Sequence, residues 1–143
     1  MIVDANILLY AVDVGSPFHN AARGWLEDAL NGPRRIGLPW PTLTAFLRIS
    51  THPRASSDPL TTGEAWELIA DWLAAEPTWI PNPTPRHADV LQRLVVDGDL
   101  RGNLVTDAHL AALAIEHGVG VCSADSDFAR FPVLSWVNPV HPR

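Results

Sequence analysis

Three aspartates stand where an α/β chain can gather a ligand. Asp4 closes the apolar run Met1-Ile2-Val3, and Asp125 follows a second apolar run that ends near Cys122. Asp107 lies three residues after Leu104 and four before Ala111, near the start of a helical segment. In an open sheet the parallel strands end along one edge, and ligands bind in the crevice beyond their carboxyl ends. Asp4 and Asp125 are expected to meet there, while the helical spacing turns Asp107 toward the sheet from on or beside its apolar face. Carboxylates that converge in a partly apolar crevice repel one another and take up protons unless a cation stabilises their charged forms. Mg²⁺ and Mn²⁺ suit such a site. Both prefer carboxylate and water oxygens, at roughly 2.0–2.1 Å for Mg²⁺, and keep waters that a phosphate oxygen can replace. The chemistry this equips is phosphodiester hydrolysis, in which the ion lowers the pKa of an attacking water and offsets charge on the leaving oxygen.

Each aspartate also has a structural reading. Asp107 in a first helical turn would complement the helix dipole. Asp125, between Ser123 and Ser126, would cap the short helix that follows. Asp4 is the hardest to explain in that way, because an acidic side chain directly after a buried strand needs a partner.

The elements that position these residues are written in the hydrophobic periodicity. Residues 1–3 read as a strand. Ser16-Pro17 reads as a cap followed by proline at the first helical position, and apolar residues at 18, 21, 22, 25, 26 and 29 continue the helix to Asn31-Gly32. A short strand over 36–38 precedes a helix from Pro41 that carries Leu43, Phe46, Leu47 and Ile49. A loop runs from His52 to Pro59. Thr61 or Thr62 caps the next helix, whose inner face is Ala65, Leu68, Ile69 and Trp72. There follow a brief strand at 79–80, an amphipathic segment over about 86–96, a helix over 104–117 stopped by Gly118, a strand over 119–122, a short helix over 126–131 and a strand over 133–137. Helices separate nearly every strand. The expected fold class is therefore α/β, a three-layer α/β/α domain with a central parallel sheet.

Composition narrows the function. The 143 residues and 15.6 kDa suit one domain spanning 1–143. With 47% hydrophobic and 18% charged residues, neither disorder nor a coiled-coil rod is supported. No apolar run reaches the roughly 18 residues of a membrane span, and Asp4 interrupts the stretch a signal peptide would need. A cytoplasmic protein with no membrane partner is expected. Cys122 stands alone, so an internal disulfide and a cysteine zinc cage are both excluded. All ten basic residues are arginines. The absence of lysine removes P-loop, Schiff-base and Ser/Lys chemistries. It also weakens a covalent phosphatase reading of Asp4, where the usual second aspartate is Asn6. A net charge of −6 excludes a generic nucleic-acid coat, so contact with nucleic acid must run through local arginines or metal ions.

Three segments, Met1-Ile-Val-Asp-Ala-Asn6, Asn103-Leu-Val-Thr-Asp-Ala-His-Leu-Ala-Ala-Leu-Ala-Ile-Glu-His-Gly118 and Ser123-Ala-Asp-Ser-Asp-Phe-Ala-Arg-Phe-Pro132, together resemble a PIN-domain ribonuclease, the VapC-type toxin of a prokaryotic toxin–antitoxin pair. Order and spacing match over almost the whole chain. The resemblance implies a PIN-like fold and a Mg²⁺- or Mn²⁺-dependent endoribonuclease that cuts a structured RNA of the tRNA or rRNA class and stops translation. It further implies a VapB-type antitoxin as partner and a homodimer. By position, Asp4, Asp107 and Asp125 match the family's acidic catalytic and metal residues, and Asp127 matches an auxiliary acidic position. Asn6 would orient Asp4 through its amide and Thr106 would hydrogen-bond near the site, or each would serve as a local cap.

One departure from the family matters. Its members commonly carry a glutamate on the helix after the second strand, where Ala45 stands here, and no Glu occurs between Glu27 and Glu64. A second reading follows: a weak or inactive binding module acting through its antitoxin. Arg48, on that same helix, would contact an RNA phosphate with its planar fork or pair with an acidic neighbour. Arg54 and Arg101 read as solvated loop charges. The histidines lack a zinc-type spacing, and His109 reads as structural. Trp25, Trp66 and Trp72, at helical periodicity, read as core or dimer packing rather than base-stacking platforms.

Overall fold

Alternation along very short strands gives this sheet two cores. The computed structural model describes residues 1–141. In β1 (Ile2–Val3) both side chains are fully buried, but Ile2 enters one hydrophobic cluster and Val3 the other. β4 (Val121–Cys122) repeats the pattern, Val121 packing with Ile2 and Cys122 with Val3. Successive side chains of a strand point to opposite faces, so two residues suffice to anchor both layers. β2 (Ile36–Gly37), β3 (Thr78–Trp79) and β5 (Trp136–Val137) complete a five-stranded, all-parallel sheet of order β3-β2-β1-β4-β5. The register sets Ile2 opposite both Gly37 and Val121, and Val3 opposite Cys122.

One face of the sheet is covered by α1 (Ala5–Val12), α2 (His19–Leu30), α3 (Trp40–Ser50) and α4 (Thr62–Ala74). The other is covered by α5 (His87–Asp97) and α6 (Asn103–His117) with the 3-10 helix Ser126–Arg130. The three-layer α/β/α architecture expected from the sequence is present. Sheet order reverses direction at β1, with β2 on one side and β4 on the other, which opens a crevice beyond the carboxyl ends of β1 and β4.

The helix starts depart from the sequence reading in two places that matter. Ser16 does not cap α2; its Oγ accepts from the Phe18 N–H at 3.1 Å, closing a separate turn before the helix begins at His19. α6 begins at Asn103 after Gly102, whose φ of 58° supports a sharp entry. Asp107 is thus a full turn inside the helix and not in its first turn, so complementing the helix dipole does not explain it. Thr61 rather than Thr62 caps α4, through a reciprocal pair with Glu64. Trp72 is buried against Phe46, its ring centroid 4.9 Å away, and Trp25 packs on the same core. Trp66 is 49% exposed.

Candidate metal centre

The chain turns out of β1 and β4 side by side, and the residues at those two exits lock together. The Asp4 backbone N–H donates to the Cys122 carbonyl at 2.9 Å, extending the pairing one residue past the strands. Ser123, fully buried at the end of β4, donates its hydroxyl to Asp4 Oδ2 at 2.7 Å. The same hydroxyl oxygen accepts from the Asn6 amide at 3.1 Å and from the Asp125 N–H at 3.0 Å. Asn6 also donates weakly to Asp4 Oδ2 at 3.4 Å and accepts from the Ala124 N–H at 3.1 Å. Asp4 Oδ1 caps α1 by accepting from the Ala5 N–H at 2.8 Å. Burial pushes the Asp4 carboxyl above its usual range, the Ser123 and Ala5 hydrogen bonds pull it down, and Asp125 raises it again.

Beyond this lock the chain presents three more acids. Oxygens of Asp107, Asp125 and Asp127 lie within 4.8 Å of one another, each residue half-buried. Asp125 accepts from the Asp127 N–H at 2.9 Å, so it does cap the 3-10 helix, yet the bond occupies only Oδ1. Asp127 Oδ1 accepts from Arg130 at 3.3 Å. Asp107 accepts no hydrogen bond from any described residue. Its carboxyl is pushed up to about 7 by burial first, then by Asp125, Asp4 and Asp127, against a downward pull from Arg130. Like charges this close cannot all ionise without a counter-ion. The donor set, three carboxylates open on one side, fits a hard divalent cation of the Mg²⁺ or Mn²⁺ class.

The gathered trio differs from the expected one. Asp127, which the family resemblance made auxiliary, stands with Asp107 and Asp125 in the close trio, while Asp4 is engaged by its helix cap and by Ser123. Asp4 still raises the Asp107 carboxyl through space. Thr106 is exposed and forms no hydrogen bond among the described residues. Arg48 is exposed in an α3–α4 groove with Thr44, Leu47, Thr51 and Trp66, and makes no ion pair with a described residue. Arg101 pairs with Asp99 at 3.1 Å at the surface. Half-buried Ala45 leaves α3 without a carboxylate toward the crevice. Two site residues were not singled out from the sequence. Ser123 had a signal, a polar residue between a buried strand and Asp125. Arg130 had none, since its pairing with Asp127 depends on the 3-10 turn.

Away from this cluster, α5 and α6 are joined by a second polar group. The Glu116 side chain has no solvent exposure and accepts from the Thr84 N–H at 2.9 Å, the Thr84 hydroxyl at 2.6 Å and the His87 ring at Nδ1. His87 Nε2 in turn meets His109 Nδ1 at 3.2 Å. Burial alone would raise the Glu116 carboxyl, but bonds from Thr84 and His87 hold it below its usual range.

Comparison with known proteins finds relatives over nearly the whole chain. The PIN domain family matches residues 1–134. Ribonuclease VapC37 of Mycobacterium tuberculosis is 47% identical over 138 residues, 96% of each chain. Among solved structures, VapBC2 from Rickettsia felis, bound to a DNA fragment from its promoter, superposes with a TM-score of 0.67 at 17% identity over 96% of each chain. The sarcin-ricin-loop-cleaving toxin VapC20 of Mycobacterium tuberculosis gives 0.67 at 15% identity, over 96% of this chain and 98% of its own.

Proposed function

The chain belongs to the PIN-domain family, with VapC ribonucleases among its relatives, and from that premise we propose that it is the toxin of a toxin–antitoxin pair, a divalent-metal-dependent endoribonuclease. The observation that carries the reading is the carboxylate cluster at the sheet's switch point, with an Asp107 that has no donor among the described residues and a carboxyl pushed up to about 7. A cation in that crevice would be held by Asp107, Asp125 and Asp127, with Asp4 reaching it from the β1 exit. When bound, it supplies charge neutralisation at the scissile phosphate and acidifies a water.

The protein's own residues do the rest. Ser123 and Asn6 fix the Asp4 carboxylate in one orientation, and three of its four acceptor sites are already in use. One lone pair remains for the site. Asp125 and Ser123 tie the β4 exit to the β1 exit, so the two acidic arms move as a unit. Arg130, exposed and only loosely paired with Asp127, is placed to meet an RNA phosphate.

The substrate reading is a structured RNA of the tRNA or rRNA class. The description of VapC20 as a sarcin-ricin-loop-cleaving toxin supports that class, and the net charge of −6 favours recognition by shape over backbone attraction. The VapBC2 complex supports a VapB-type antitoxin as partner, and we propose a homodimer of single-domain chains acting in the cytoplasm. No helix among the described residues is long and apolar enough to cross a membrane. Ala45 favours a second reading, a PIN fold that binds its antitoxin with weak or no turnover.

Purified protein assayed on total RNA with Mn²⁺, with chelator, and as Asp4→Asn and Asp107→Asn separates the two. Cleavage that chelator and both substitutions abolish supports the nuclease. Calorimetric Mn²⁺ binding with no cut RNA ends favours the binding module, and undiminished cleavage by Asp4→Asn removes Asp4 from the mechanism.

A further inference from the structure

The α5–α6 polar group ends in two imidazole nitrogens that face each other. Glu116 accepts at both oxygens, and a carboxylate cannot donate, so the proton on His87 must sit at Nδ1. His87 Nε2 therefore directs a lone pair at His109 Nδ1, 3.2 Å away. Two nitrogens bound at roughly 2.0–2.1 Å to a tetrahedral zinc lie about 3.3 Å apart, so the pair is already spaced as ligands. The carboxylate behind His87 is the usual support for a metal-bound histidine, fixing its tautomer and its ring orientation.

His109 Nε2 has no partner among the described residues and is not a buried, unsatisfied atom, so it faces solvent. The proton between the two rings has somewhere to go: it moves from His109 Nδ1 to His109 Nε2, where water accepts from it. Both nitrogens then offer a lone pair across the same 3.2 Å gap, at the cost of a single hydrogen bond. His87 keeps 15% side-chain exposure and His109 is half-buried, so an ion reaches the pair from outside and water fills its remaining positions.

We propose that His87 and His109 form a second cation site, for a zinc-class transition metal bound by His87 Nε2 and His109 Nδ1 and completed by water. Imidazole selects Zn²⁺, Ni²⁺ or Cu²⁺ where the aspartate trio selects Mg²⁺ or Mn²⁺. One helix, α6, thus contributes His109 to a nitrogen site and Asp107 to an oxygen site of opposite preference. The nitrogen site does not depend on whether the protein cuts RNA.

The test uses tag-free full-length protein in which Asp107→Asn and Asp125→Asn have disabled the acidic cluster. Zn²⁺ is titrated calorimetrically in excess Mg²⁺, and Cu²⁺ is added to the wild-type protein for electron paramagnetic resonance. The expected result is one Zn²⁺ per chain, affinity reduced at least tenfold by a further His109→Ala, and Cu²⁺ hyperfine structure from two nitrogens. His109→Ala leaves the His87–Glu116 contact in place, and the Cu²⁺ spectrum needs no variant at that site. Unchanged Zn²⁺ affinity in His109→Ala, loss of binding on removing the two aspartates, or a Cu²⁺ spectrum without nitrogen coupling overturns the proposal.

Discussion

Two carboxylates on α6 sit about two and a half turns apart in opposite circumstances. Asp107 accepts nothing from the described protein, faces three acidic neighbours and has its carboxyl pushed up to about 7. Glu116, whose side chain has no solvent exposure, instead accepts three bonds and is held below its usual range. Burial alone does not mark a working site. Glu116 shows a charge that the fold has fully satisfied, and Asp107 shows one that the fold has left for something else to satisfy.

The sharpest way to break that contrast is Asp125→Asn. Removing one charge and one ligand atom from the trio should lower Mn²⁺-dependent cleavage by about 10³-fold while the Asp127 N–H still finds a cap oxygen, so that thermal unfolding moves little. Single-turnover cleavage of a labelled RNA beside a melting curve checks both halves. Equal losses in rate and stability would put Asp125 with Glu116, as a structural carboxylate.

Glu116→Ala should do the reverse. It leaves the Thr84 and His87 donors without their acceptor in a partly buried contact between α5 and α6, so denaturant unfolding should show a loss of roughly 2–4 kcal/mol. Cleavage by the fraction that remains folded should fall by less than tenfold. Ser123→Ala lies between the two, since it removes the hydroxyl that binds Asp4 and Asp125 together while leaving every carboxylate in place. A 10- to 100-fold loss of metal affinity or rate is the expected order of magnitude for such a support. Titration with Mn²⁺ should show the loss and rising metal concentration should partly restore the rate.

The same contrast explains what could be read without coordinates. Alternating helices and strands gave the three layers, because each apolar stripe reports its own period. Asp4 and Asp125 were legible because strand ends in a parallel sheet share an edge. Three features were hidden. The helix start at Asn103 depends on the backbone of Gly102, and this shifted Asp107 out of the first turn. The engagement of Asp4 by Ser123 depends on a 2.7 Å bond spanning 119 residues of sequence. The Thr84–Glu116–His87–His109 group is joined by bonds between residues 22 to 32 apart, a separation with no periodic signature. Strand lengths were overestimated for a related reason: residues 119–120 and 133–135 are apolar or small enough to read as strand but lie outside the paired ladder.

The smallest expected effect is the most diagnostic, because the two carboxylates should bend the pH dependence of stability in opposite directions. Asp107 has a folded carboxyl pushed up to about 7 from 3.8, so the metal-free native state holds a proton there that the unfolded chain has already lost. Between these values stability falls as pH rises, and above about 7 the full penalty applies. Asp107→Asn should therefore stabilise metal-free protein at pH 8 and leave it unchanged near pH 3. The open side of the site screens the repulsion, which brings the gain down to ~1–2 kcal/mol. Glu116 has a lowered folded value, so its contribution is present above 4.5 and fades only as pH falls below that. Glu116→Gln should accordingly cost stability at neutral pH and less in acid. Saturating Mg²⁺ should erase the Asp107 effect and leave the Glu116 effect untouched, because the ion competes with the proton for Asp107 alone. Urea unfolding at pH 3 and pH 8, with Mg²⁺ and with chelator, measures all four corners, and an Asp107→Asn gain that persists in Mg²⁺ at pH 8 would mean that the cluster does not bind the ion.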